Sequence, residues 1–155
     1  MTQRIKVNEA GAAAMGTLYP LGKYLAKSSI EGALLDLVYF RVSQINKCAF
    51  CLDMHAKDLR AMGETEQRLY LLSAWREAPF YNERERAALA WAEALTTLES
   101  SLVPDEIYEE ASGQFSEKEL IDLTLGVIAI NSYNRINIAF GADVGSYKVG
   151  QFAVK

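Results

Sequence analysis

The sequence predicts an all-α domain of about six to eight helices, and three observations carry that expectation. Apolar residues recur at spacings of three and four through almost every segment, no stretch alternates as a half-buried strand does, and capping signatures stand where the periodic runs begin.

Ala10 to Met15 and Leu21 to Lys27 read as short helical pieces on either side of a Tyr19-Pro20 break. Ile30 to Gln44 carries Leu34, Leu37, Val38 and Arg41 on one side. The next helix holds both cysteines, with Asn46 as its expected N-cap, Cys48 at the second helical position and Gly63 just beyond its end. Thr65 caps a run with Leu69, Leu72 and Trp75 that stops before Pro79. Asn82-x-x-Glu85 and Ser116-x-x-Glu119 are capping boxes for Glu83 to Leu98 and for Leu120 to about Phe140, and Pro104 opens a short helix to about Ala111 between them. Leu120 to Ile130 is apolar on nearly all sides, the pattern of a central helix, and Gly141 to Gly150 reads as a turn or loose tail.

At 155 residues the chain is expected to be one domain, residues 1–155, with a core that needs no staples. Its net charge of −4, with basic residues scattered among acidic ones, argues against nucleic acid as a partner. The first residues are polar, and the longest apolar run, Leu123 to Ile130, falls short of the roughly 18 to 20 residues of a membrane span. A protein of the reducing cytoplasm, with no membrane partner, is the expectation.

The chemistry is concentrated in eight residues, Cys48-Ala49-Phe50-Cys51-Leu52-Asp53-Met54-His55, which contain both cysteines and the single histidine. At about 100° per residue, Cys51 and His55 lie within roughly 60° of Cys48, so two thiols and an imidazole share one helix face. A bridge between cysteines three apart constrains little of the unfolded chain, so the pair reads as reactive rather than structural. A closed zinc site would need Asp or Glu as fourth ligand, and dithiol chemistry needs no metal, flavin or haem; neither metal nor cofactor is expected.

The segment from Arg41 to His55 resembles the core motif of the AhpD-like alkylhydroperoxidase family, within the carboxymuconolactone decarboxylase superfamily. The likeness continues through Gly63-Glu64, the Trp75-Arg76 region, Arg86 to Thr96 and Asn134-Arg135, covering most of residues 30 to 140. It implies an all-helical AhpD-like domain with the dithiol at the N-terminus of a central helix, assembled as a trimer or hexamer. It implies further that Cys51 attacks peroxide, Cys48 resolves the product as a disulfide, and His55 is the base, with an upstream carboxylate completing a proton relay. Twelve residues before the first cysteine the family has a glutamate and this chain has Asp36; Glu31 is the other carboxylate nearby. Lys47 stands where a glycine is common, a cation beside the dithiol. Asn134 and Arg135 are expected to structure a helix end or an oligomer contact, and the two tryptophans to lie in the core or an interface.

The leading expectation is a peroxidase that takes a hydroperoxide and is recycled by an external dithiol reductant. The alternatives are a non-catalytic redox sensor or oligomeric scaffold with a redox-active disulfide, and a carboxymuconolactone decarboxylase-type enzyme.

Overall fold

The computed structural model describes residues 3–98 and 102–152. Among them the elements are Val7–Ala10 (α1), Ala12–Met15 (α2), Tyr19–Leu25 (α3), Gly32–Asn46 (α4), Ala49–Ala61 (α5), Glu66–Leu71 (α6, continued by the 3-10 turn Leu72–Ala74), Glu83–Thr97 (α7), Asp105–Gln114 (α8) and Glu117–Phe140 (α9). No strand occurs among the described residues, and no helix there is long and apolar enough to cross a membrane.

Local chemistry sets most of the boundaries. Both capping boxes form: Asn82 accepts from the Glu85 N–H and Ser116 from the Glu119 N–H, with each glutamate reaching back to its cap. Thr65 caps α6 through the Arg68 N–H. Pro20 does not break the chain as expected; it lies in the first turn of α3, where its missing N–H costs nothing. Pro104 is the N-cap of α8, which runs past Ala111 to Gln114 until Phe115, buried and extended, turns the chain into α9.

The helix surrounded on all sides is α4. Its Leu34, Leu35, Val38 and Val42 pack with α7, α8 and α9, while Leu37 and Phe40 pack the other way, with Leu59, Leu72, Trp75 and Leu89. α9, expected to be central, buries Leu120, Leu123, Val127 and Ile130 but leaves Ile121 and Ile128 at 62% and 50% exposure. α4 side chains press on the α9 backbone at Gly126, where an added Cβ would stand 3.0 Å from Leu35 Cδ2 and 3.5 Å from the Tyr39 ring.

The segment after α9 is a strap rather than a loose tail. Tyr147 is buried, and its hydroxyl donates to both carboxylate oxygens of Asp58 on α5, at 2.8 and 2.9 Å. Asp53 accepts from the Gly145 N–H, and Lys57 donates to the carbonyls of Gly145 and Tyr147. Burial, then Asp58, pushes the Tyr147 hydroxyl up to about 12, so it keeps its proton at neutral pH. Hydrogen bonds to a charged group contribute about 1.5–3 kcal/mol net. Tyr147→Phe is therefore expected to lower Tm by several degrees, at about 2–4 °C per kcal/mol, and to admit protease between residues 141 and 152. Unchanged Tm and unchanged cleavage would show that the strap is held by something else.

Candidate active site

The dithiol is placed by the turn that joins α4 to α5. The Lys47 N–H donates to the Gln44 carbonyl and the Cys48 N–H to the Ser43 carbonyl, with Lys47 left-handed at φ 58°. This is a Schellman motif closing α4. It corrects the expected start of the dithiol helix. Asn46 is the last residue of α4, the reversal consumes Lys47, and Cys48 becomes the N-cap of α5, with Cys51 in its first turn.

Both sulfurs are buried and free, 2.6 Å apart. The Cys48 thiol donates to Cys51, and that hydrogen bond is the largest influence on each group. It holds Cys51 below the ordinary thiol range against the burial that would raise it, with further help from the amides of Asn137 and Asn134 and from His55. The same bond, followed by burial, pushes the Cys48 thiol up. Standing nearer the helix N-terminus does not make Cys48 the anion. In a poorly solvated site two adjacent thiols cannot both ionise, and the one that accepts becomes the anion.

His55, also buried, lies on α5 beneath Cys51, with its ring nitrogen Nδ1 3.0 Å from Asp36 Oδ1 on α4. A carboxylate only accepts, so Nδ1–H donates, and Nε2 is buried with no hydrogen-bond partner among the described residues. The Tyr39 ring packs on the imidazole at 5.3 Å between centroids. Glu31 is not part of this arrangement. Five residues turn the helix by about 500°, so Glu31 faces elsewhere; it stands at the N-cap of α4 and pairs with Arg84 at 3.1 Å.

Cys51, His55 and Asp36 border a cavity of about 1210 Å³; Cys48 does not. Its walls are mostly apolar and aromatic, including Leu25, Ile30, Tyr39, Ile130, Tyr133 and Phe140. That exceeds the roughly 300–1,000 Å³ of an ordinary small-molecule pocket.

Sequence reasoning missed the polar contribution of α9 to the dithiol. Asn134, expected at a helix end or oligomer contact, is fully buried, donates to Ser43 Oγ, accepts from Asn46 and lies against both sulfurs. Asn137 donates to Cys51 Sγ at 3.3 Å. The signal was present: Asn131, Asn134 and Asn137 recur every three residues on an apolar helix. Arg135 is exposed and, among the described residues, bonds only within its helix, to Asn131. Lys47 acts through its backbone; its side chain is exposed and the main influences on both thiols come from elsewhere. Trp75 and Trp91 are buried, and Trp75 donates to Glu93.

A buried dithiol beside a carboxylate-held histidine, on an all-helical scaffold, defines the class of protein. The carboxymuconolactone decarboxylase family model matches residues 12–94, including the whole Cys48 to His55 segment, and the chain belongs to that family as an AhpD-like member. YdfG of Bacillus subtilis (strain 168), an uncharacterized protein, is 45% identical over 146 residues, covering 94% of this chain and 99% of its own length. A protein of unknown function from Agrobacterium tumefaciens, proposed to be the antioxidant defence protein AhpD, superposes with a TM-score of 0.89 at 37% identity, covering 94% of this chain and 100% of that one. An uncharacterized peroxidase-related protein from Silicibacter sp. TM1040 shares the fold at 22% identity and a TM-score of 0.78, covering 92% and 75% of the two chains.

Two outcomes are expected. Because Cys51 is lowered, its thiolate should persist below the ordinary thiol value of about 8.5 and vanish only as pH falls through its own lower value. Thiolate ultraviolet absorbance against pH should show this titration in the wild type, lose it in Cys51→Ser and shift it upward in Cys48→Ala; loss in Cys48→Ala and retention in Cys51→Ser would reverse the order. Lys47→Gly, which relieves a left-handed side-chain residue, should raise stability by about 1 kcal/mol and Tm by a few degrees in thermal melts.

Proposed function

We propose that this protein is a dithiol peroxidase in which Cys51 attacks and Cys48 resolves. The observation that carries the reading is the asymmetry of the pair: the sulfur held as thiolate is also the one that borders the cavity, beside His55. The Cys51 thiolate attacks the terminal oxygen of a hydroperoxide, the S–O bond forms as the O–O bond breaks, and the departing alkoxide takes a proton from His55 Nε2 to leave as an alcohol. The sulfenic acid on Cys51 then condenses with the Cys48 thiol, releasing water and forming the disulfide. An external dithiol of the reducing cytoplasm supplies two electrons and two protons to restore both thiols. His55 Nε2 is the proton-carrying group, and Asp36 holds its tautomer through Nδ1.

A homo-oligomer, a trimer or hexamer, belongs to the same reading, supported by the apolar face that Ile121 and Ile128 leave uncovered on α9.

Peroxide consumption with a generic dithiol reductant tests the function. Turnover should be abolished in Cys51→Ser, while Cys48→Ser should still accumulate a trappable sulfenic acid on Cys51. Disulfide formation without turnover in the wild type would instead make the protein a redox sensor. The apolar cavity also sets a preference. Burying about 60 Å² of apolar surface contributes about 1.5 kcal/mol, so a bulky organic hydroperoxide should have a kcat/KM about tenfold above that of hydrogen peroxide. Equal or reversed values in steady-state assays would remove the cavity from substrate binding.

A further inference from the structure

The face of α9 turned to the dithiol carries Asn131, Asn134 and Asn137, one per helical turn, and the first two are explained by packing. Asn131 accepts from Asn46 and donates to Thr96 Oγ1, and Asn134 joins Ser43 to Asn46 in the interior. These bonds clamp α9 to α4 and α7. Asn137 differs. Among the described residues its side-chain amide bonds a single side chain, donating from Nδ2 to Cys51 Sγ at 3.3 Å, and it is half-buried on the wall of the same cavity.

We propose that Asn137 is a catalytic residue: its amide N–H, donated to the Cys51 sulfur, holds that sulfur as the reactive anion. The assignment rests on Cys51 being the attacking sulfur. A buried anion is stable only where hydrogen bonds replace its water, and Cys51 draws its largest support from the Cys48 thiol. That donor is transient, because Cys48 gives up its proton when the disulfide forms. The Asn137 amide cannot be consumed. Its hydrogen is not one that Cys48 gives or takes, and it approaches from α9, away from the helix that carries both cysteines. The titratable groups facing the sulfur are Cys48 and His55 from α5, with Asp36 and Tyr39 of α4 behind the imidazole and Tyr133 of α9 across the cavity.

The experiment follows the ionisation of Cys51 without peroxide, so the result stands apart from whether the protein turns peroxide over. Thiolate absorbance and site-resolved iodoacetamide alkylation are measured against pH in the reduced wild type, Asn137→Ala, Asn137→Asp and, as a control on the same helix, Arg135→Ala. Loss of a hydrogen bond to an anion should raise the Cys51 midpoint in Asn137→Ala by about one pH unit, a tenfold drop in thiolate below both midpoints. Asn137→Asp, close in shape but able only to accept and negatively charged, should raise it further, and Arg135→Ala should leave it in place. Asn137→Asp decides the matter should Asn137→Ala fail to fold, since it keeps the packing. Midpoints unmoved in the folded Asn137 variants, with or without a fall in peroxide turnover, would make Asn137 structural. A lowered midpoint in Asn137→Ala would mean that the amide oxygen accepts from the thiol, and would equally overturn the proposal.

Discussion

α4 reverses into α5 through a single left-handed residue, and the site depends on that reversal. Because the Schellman hydrogen bonds of Lys47 and Cys48 close α4 at the same point where α5 opens, Cys48 ends one helix and caps the next. Cys51 is thereby brought under α9, and His55, one turn further, meets Asp36 on α4. A longer connection would leave the two helices free to slide past each other. The αL conformation at a lysine costs roughly 1–2 kcal/mol, a strain the packing of α4, α5 and α9 overrides.

The second consequence is electrostatic. Two thiols in contact and out of water share one negative charge, and small differences in surroundings decide which carries it. Cys48 faces its partner and the interior, whereas Cys51 receives the Cys48 proton donor from one side and the α9 amides from the other. The asymmetry does not come from helix position, since Cys48 lies nearer the positive end of α5. Hydrogen bonds at about 3 Å outweigh a half-charge spread over a helix end in a site this dry.

α9 serves two surroundings. Its inner face packs Leu123, Val127 and Ile130 and presents asparagines to the dithiol, while its outer face keeps isoleucines in solvent. The same helix therefore bounds the cavity beside the dithiol and leaves an apolar strip uncovered on its other side. The strap after it ties the end of α9 back to α5 through Asp53, Lys57 and Asp58, so one wall of the cavity is anchored to the helix bearing the cysteines.

The sequence by itself determined the all-α class, nearly every helix and the cluster of Cys48, Cys51 and His55, because capping boxes and apolar periodicity are local, and residues three or four apart meet on any helix. It could not determine that α4 and not α9 lies at the centre, since an apolar stretch reads alike whether all its faces meet other helices or one of them stays exposed. Asp36 was legible through a spacing and Asn137 was not, because 86 residues separate that amide from the sulfur it bonds. The choice between the thiols was also a tertiary decision. The resemblance names Cys51, but nothing local to the segment gives the cause; the packing of α9 and the cavity against that sulfur, with hydrogen bonds in place of water, holds Cys51 below the ordinary thiol range.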